Sequence, residues 1–440
     1  MEKLADSLVG VIPEATARRL HAKVAQPGKA TAVLGVRRSG KTTLLHQIRR
    51  ERLAAGVPRE RLPFISFDHE HLAGLGADQL SVLIEEYYRR FPDLRQRETV
   101  VWCFDEILAV PGWETFVRQL LDSEKVEVFL SGSSAALLSR ELATPMRGRT
   151  WEVVLHPFSF EEALRHSGRT VPDLPGVLSA RDRSALEHAF LAYLTAGGFP
   201  AAQGLDAITR DRLLHDYVDI ALLRDVVERH GLSQIAGVRA LLRHLLGNAG
   251  GTFSAQKFYE ALKWLGMSIS KDSVHEALRC LEDSFLIRTL WIEADSERRR
   301  MVNPRKAYPV DMGLIPVFDR SGRANLGHAL ETSVLIELER RGTSVTYVKT
   351  ADGHEVDFLA QKAGVKDQLI QLSADPSDAA TAARELRGLE EAGRLFPKAE
   401  RRLLTSTRDS IPAGVPKGIL AQPAYEWMLE GAAKDRGLLA

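Results

Sequence analysis

Short apolar runs alternate with amphipathic stretches over residues 28–160. Runs rich in β-branched and aromatic residues fall at "ATAVLG" (30–35), "PFISFD" (63–68), "VVWCFDE" (100–106), "VEVFLSG" (126–132) and "WEVVLHPF" (151–158). Between them, "KTTLLHQIRRERLAAG" and "LSVLIEEYYRRF" carry helical spacing. This alternation predicts an α/β fold, a parallel sheet with helices on both faces that binds ligands at the carboxyl ends of its strands. After residue 160 the strand runs stop. "SFEEALRHSG", "RSALEHAFLAYLTAGG" and "TRDRLLHDYVDIALLRDVVERHG" predict amphipathic helices separated by Gly and Pro breaks. Next, "TFSAQKFYEALKWLGMSISKDSVHEALRCLEDSFLIRTLWIE" predicts a helix, a turn at Gly266 to Ser270, a second helix, a strand and an arginine-rich turn. That is the order of a winged helix-turn-helix. From about 325, "LGHALETSVLIELERRG" predicts an amphipathic helix closed by Gly342, and "SVTYVKTADGHEVDFLAQKAG" a hairpin turning at Asp352-Gly353. Two more strands, "DQLIQLSA" and "ERRLLTST", flank the helix "DAATAARELRGLEEAGRLF". The expected organisation is an α/β core over 1–160, a helical subdomain over 161–245, a winged-helix-like module over 246–310 and a small α/β domain over 311–440.

Composition narrows this little. The 440 residues carry 59 Lys plus Arg against 58 Asp plus Glu, so net charge neither favours nor excludes nucleic acid. Cys103 and Cys280, far apart in apolar surroundings, read as buried free thiols and not as a disulfide or metal framework. The first twenty residues lack the apolar core of a signal peptide, and no stretch approaches the roughly 18–20 apolar residues of a membrane span. A cytoplasmic protein is expected.

The chemistry is concentrated in two motifs. "GVRRSGKT" matches G-x-x-x-x-G-K-[ST], with Gly35, Gly40, Lys41 and Thr42 in the fixed positions and Arg38, Ser39 and Thr43 beside them. The loop follows a strand and opens a helix, so backbone N–H groups and the helix N-terminus can face phosphate. Lys41 is expected on the β- and γ-phosphates of ATP, and Thr42 on Mg2+. The strand "VVWCFDE" then supplies Asp105 to the magnesium and Glu106 to the attacking water. In "FLSGSSAALLS", Ser131 or Ser133 is placed to sense phosphate, with helix capping by Ser133 or Ser134 as the alternative. Asp68 is a candidate for holding a water or capping a helix. Arg147 and Arg149 in "MRGRT" are candidates for an arginine finger, in cis or across subunits, or else a surface ion pair. Arg37 and Arg38 read as solvated or paired.

"GVRRSGKTTLL", "FISFDHEHL", "WCFDEI", "GWE", "FLSGSSAALLS", "GRTWEVVLHPFSFEE" and "YLTAGGFP" occur in that order. Together they resemble the prokaryotic AAA-type ATPases that carry a C-terminal domain of unknown function related to restriction endonucleases. "RKAYPVDMGL", "LETSVLIELERRG" and "HEVDFLA" resemble that second domain. The resemblance spans roughly residues 15–430 and implies ATP binding and hydrolysis. It also implies a nuclease-type constellation in which a helix glutamate, a strand aspartate and a Glu-x-Lys on the next strand converge on magnesium. Glu331, Glu355 and Asp357 match the first parts. The next strand reads "IQLSA", with Gln371 and Ser373 in place of Glu and Lys, while Lys362 and Lys366 fall in a turn. A fold kept without cleavage is therefore expected, and Glu355 and Asp357 also fit the solvated face of a half-buried strand.

In the winged-helix reading, Ser270, Lys271, Ser273, His275 and Arg279 lie on or near the recognition helix. Arg298, Arg299, Arg300, Arg305 and Lys306 form a basic wing suited to DNA phosphates. Asp272, Glu276, Glu282 and Asp283 put acid on the same helix, so a protein-scaffold role stays open. The combined expectation is a Mg2+-dependent ATPase that couples hydrolysis to a conformational change on DNA or a protein partner, working as a homo-oligomer. A DNA-acting nuclease or translocase and a slow nucleotide-dependent switch are the alternatives.

Overall fold

The computed structural model describes residues 2–20, 25–68, 76–134, 146, 148–267, 270–319, 325–374 and 379–430. The chain divides into two compact units, Met1–Leu155 and His156–Asp435.

The first unit contains α1 (Glu2–Val9), β1 (Ala30–Leu34), α2 (Lys41–Ala54), β2 (Phe64–Ser66), α3 (Ala77–Arg90), β3 (Val100–Asp105), α4 (Trp113–Ser123), β4 (Val126–Gly132) and β5 (Thr150–Val154). The strands form one parallel sheet in the order β2-β3-β4-β1-β5. Both faces of β3 are buried, which is why it reads as an unbroken apolar run. Val101 and Cys103 join Leu44, Leu45 and Ile48 of α2 on one face. Trp102 and Phe104 point the other way and meet Tyr87 of α3 and Phe116 of α4. Helices thus cover both faces, the P-loop NTPase arrangement. Burial also pushes the Cys103 thiol up to about 12, leaving it inert.

The second unit opens with α5 (Phe160–His166), α6 (Ala180–Ala196), α7 (Ala207–Ala221) and α8 (Ile235–Gly247). Then come β6 (Thr252–Phe253), α9 (Ala255–Trp264), α10 (Lys271–Asp283), β7 (Ile287–Leu290), α11 (Glu297–Val302) and β8 (Arg305–Pro309), the strands pairing antiparallel in the order β6-β8-β7. After α12 (Leu314–Phe318) and α13 (Leu326–Arg340) comes a larger sheet built of β9 (Ser344–Lys349), β10 (Glu355–Gln361), β11 (Gln368–Ser373), β12 (Glu400–Thr405) and β13 (Ile419–Pro423). Its order is β13-β12-β11-β10-β9, antiparallel from β9 to β11 and parallel from β11 to β13. The helix α14 (Ala379–Leu395) connects β11 to β12, and α15 (Ala424–Leu429) follows β13.

Two expectations are corrected in this unit. The arginine-rich segment expected as a wing turn folds as α11 and β8. The helix expected to be amphipathic is buried at every residue from Ala329 to Leu338, with Val334, Leu335 and Leu338 in a core shared with α6, β10 and α15. Among the described residues, no helix is long and apolar enough to cross a membrane.

Candidate nucleotide site and a second polar cluster

The strand order makes the first site. β4 lies between β1 and β3, so the loop leaving β1 and the carboxylate pair leaving β3 meet across its tip. Gly35 begins the loop at φ +153°, and a Cβ there would lie 2.2 Å from the Leu155 carbonyl oxygen, so the close approach requires glycine. Gly40, at φ +100°, caps α2. Arg38 is exposed at φ +69°, whereas Ser39 is buried, and its carbonyl accepts a 2.6 Å hydrogen bond from the buried Arg18 guanidinium. Nothing in the local sequence signals that brace. The backbone N–H of Arg18 in turn donates to Gln47 on α2 at 2.7 Å, tying the segment before β1 to the loop.

Lys41 is 4% exposed and folds back over the loop, donating to the carbonyls of Gly35 and Val36 at 3.1 and 3.2 Å. Its Nζ lies 3.7 Å from Glu106 Oε1. The Thr42 hydroxyl lies 3.1 and 3.0 Å from the two oxygens of Asp105. Asp105 also accepts from Ser66 at 3.0 Å and from Ser131 at 2.6 Å. Ser131 Oγ accepts in turn from the Glu106 N–H at 2.9 Å. That bond supports Glu106 in the left-handed region, φ 51° and ψ 38°, where a non-glycine residue is uncommon and strained. The turn brings the Glu106 carboxylate to Lys41.

Lys41, Thr42, Asp105 and Glu106 are therefore brought together, with Ser66 as a member that a single serine ending a strand did not reveal. Of the two serines weighed at the end of β4, Ser131 bonds the Asp105–Glu106 turn, and Ser133, just past the strand, is fully buried. Asp68 faces Arg37 at 4.0 Å. Thr43 is half-buried on α2 behind Thr42. Arg149 lies elsewhere. Its carbonyl accepts from Ala30 at the start of β1, and its guanidinium pairs with Asp122 at 2.9 Å. The loop leaves the other end of β1, roughly 13 Å away at the usual strand rise. The finger in cis is thus not formed by Arg149, and the ion-pair alternative describes its position. Arg147 lies outside the described residues.

The second unit holds another convergence. Glu331 on α13, Glu355 and Asp357 on β10 and Gln371 on β11 come together around Lys306 of β8. Lys306, expected in an exposed wing, is 4% exposed, with Nζ 3.0 Å from Glu331, 2.7 Å from Glu355 and 3.6 Å from Asp357. Burial pulls the ammonium down, but the three carboxylates more than reverse it and keep it charged. Tyr308 donates to Glu331 at 2.6 Å. Gln371 donates to Asp357 at 2.9 Å, and its buried Oε1 accepts no hydrogen bond. Burial and the charge of Glu331 raise Asp357 well above the usual carboxylate range. Arg305 also leaves the wing, lying over the Trp291 ring at 3.6 Å. Sequence reasoning missed Lys306 because its partners lie 25 residues or more away along the chain.

Comparison with known proteins finds likeness in both units. Residues 27–164 match an AAA domain family, and residues 187–322 match a domain of unknown function (DUF8612). An uncharacterized protein of Methanocaldococcus jannaschii, MJ1544, is 31% identical over 83% of this chain and 79% of its own length. An uncharacterized Haemophilus influenzae protein is 30% identical over 75% of this chain and 79% of its own. Among solved structures, the Walker-type ATPase PABY2304 of Pyrococcus abyssi is 17% identical, covering 72% of this chain and 93% of that one at a TM-score of 0.40. With an AAA domain at residues 27–164 and homology across most of both relatives, the chain belongs to the same family as these uncharacterized Methanocaldococcus jannaschii and Haemophilus influenzae proteins.

Proposed function

We propose that the protein is a Mg2+-dependent ATPase of the AAA type. The observation that carries this reading is the convergence of Thr42 with Asp105 at 3.0–3.1 Å and of Lys41 with Glu106 at 3.7 Å. The donor set fits a nucleotide with its metal. Thr42 and Asp105 are the oxygens that would hold magnesium, whose chemical contribution is charge neutralisation at the phosphates. Lys41 exchanges its two loop carbonyls for phosphate oxygens. Glu106, released from the ammonium, orients and polarises water. Gly35, Arg38, Ser39 and Gly40 in the loop, with Thr43 in the first turn of α2, would complete the phosphate-binding set.

Measuring nucleotide binding and phosphate release separately tests these roles. Lys41→Ala is expected to lose ATP binding. Glu106→Gln is expected to bind ATP while turning over on the order of 10²-fold or more slowly. Normal turnover in Glu106→Gln would end its role as the water-orienting group. Arg149 fits only as a finger offered to a neighbouring subunit, which requires a homo-oligomer. Arg149→Ala should then lower turnover most at protein concentrations where wild type assembles.

A second reading adds DNA. The run α8, β6, α9, α10, β7, α11, β8 with its three-stranded antiparallel sheet supports a winged-helix module. Lys271, His275 and Arg279 on α10 and Arg298 and Arg299 on α11 are exposed. Arg305 and Lys306 do not contribute, which leaves a smaller basic surface than the sequence suggests. DNA that stimulates the ATPase, with binding that weakens steeply as salt rises, would support action on DNA. An ATPase indifferent to DNA would favour a protein partner. The helix α13 followed by β9, β10, β11, α14 and β12 supports a nuclease-like fold, read here as one that does not cleave.

A further inference from the structure

A nuclease-like fold implies a divalent cation where Glu331, Glu355 and Asp357 converge, and the residues present do not fit one. Lys306 Nζ stands between the three carboxylates at 3.0, 2.7 and 3.6 Å. Protein donors also cover the oxygens that a metal would use. Glu331 Oε1 accepts from both Lys306 and Tyr308. Asp357 Oδ2 accepts from the Gln371 side chain and the Leu372 N–H at 2.9 and 3.0 Å. Gly250, at φ +72°, lies so close to Glu331 that a Cβ there would be 2.8 Å from Oε2. Among the described residues, no three Asp, Glu, His or Cys side chains converge closely enough to hold a metal ion.

We propose that Lys306 is the resident cation of this cluster, an internal ammonium in the place of a metal, and that the folded chain therefore takes no divalent cation here. An ammonium offers three donors and no Lewis acidity, so it can neutralise carboxylates without activating water at a phosphodiester. It also anchors β8, the central strand of the small sheet, to the helix α13 and to β10 of the larger sheet. The group that blocks the metal therefore joins two parts of the unit. The wet, half-exposed Glu355 is the edge from which a competing cation would enter; its side chain is 38% exposed. This inference rests on the nuclease-like reading only for the identity of the cation that Lys306 replaces.

The test is Mn2+ binding to the full-length, nucleotide-free chain, followed by electron paramagnetic resonance. Wild type and Asp357→Asn are expected to bind Mn2+ with the same stoichiometry. Loss of one bound Mn2+ in Asp357→Asn would overturn the proposal. Lys306→Met, which keeps the length of the side chain without its charge, is expected to bind an added Mn2+ on the order of tenfold or more tighter than wild type. Lys306→Met/Asp357→Asn is expected to lose that gain, and a folded Lys306→Met chain that gains no Mn2+ also overturns the proposal. If Lys306→Met does not fold, the wild-type and Asp357→Asn pair decides alone. Supercoiled plasmid incubated with Mn2+ separates the two readings. Cleavage that disappears in Asp357→Asn ends the non-cleaving reading of the unit, whereas Mn2+ loss without cleavage ends only the Lys306 assignment.

Discussion

Ser131 links the two carboxylates of the nucleotide site. One hydroxyl donates to Asp105 at 2.6 Å and accepts the Glu106 N–H at 2.9 Å, so it holds both the expected metal ligand and the strained turn beside it. Ser131→Ala removes a hydrogen bond to a charged group, roughly 1.5–3 kcal/mol, and leaves the Glu106 N–H without its partner. The expected result is a fall in kcat of about tenfold to a hundredfold with nucleotide affinity within a factor of about two, since Lys41 and the loop are untouched. An equal rise in the nucleotide dissociation constant would instead place Ser131 in ground-state binding. Gly35 faces the opposite constraint, one of space. Gly35→Ala must fit a methyl 2.2 Å from the Leu155 carbonyl at φ +153°. Backbone strain alone costs roughly 1–3 kcal/mol, so the urea midpoint should fall even without nucleotide. An unchanged midpoint would mean that the β5 end can move aside.

Between α2 and β2, His46 makes the first unit sensitive to acid. Its ring lies 4.4 Å from Phe64, and burial, then the neighbouring Arg49, pulls its pKa down to about 4. An unfolded histidine titrates near 6.5, so between about 6.5 and 4 the unfolded chain binds the extra proton. Stability contributed at neutral pH is therefore lost as pH falls through that window. The urea midpoint of the first unit is expected to drop from pH 7 to pH 5, and His46→Gln should flatten the drop. An equally steep drop in the variant would assign the acid sensitivity elsewhere. The elements show what sequence pattern can and cannot carry. The inner strands of the first sheet were legible because burial on both faces leaves plain apolar runs such as Val100 to Asp105, and the half-buried edge strands β2 and β5 because they are short and rich in β-branched and aromatic residues. The strand β8 was not, because it opens with Arg305 and Lys306. A charge reads as solvent when its counter-charges come from distant helices and strands. Glu331, Thr332, Ser333 and Glu337 hid the burial of α13 in the same way. The Lys41–Asp105–Glu106 part of the first site was legible because phosphate chemistry constrains local spacing. The polar cluster at Lys306 has no such local rule.

At the scale of the whole molecule, two units with separate cores predict two unfolding events, and only one of them should respond to nucleotide. A ligand that binds only the folded state stabilises it by about 2.7 kcal/mol at a hundredfold excess over its dissociation constant. For a unit of this size, each kcal/mol moves the midpoint by roughly 2–4 °C. Saturating non-hydrolysable ATP analogue with Mg2+ should therefore raise one calorimetric transition by about 5–10 °C and leave the other in place. Lys41→Ala should abolish the shift and leave the midpoint of the other transition in place. The response should also need magnesium, because Thr42 and Asp105 donate only oxygen ligands and contribute little to a nucleotide that lacks the metal. If both transitions rise together, the two units unfold as one cooperative body, and nucleotide bound at the loop stabilises the Lys306 cluster in the other unit. That outcome would make the second unit a direct recipient of the energy of ATP binding.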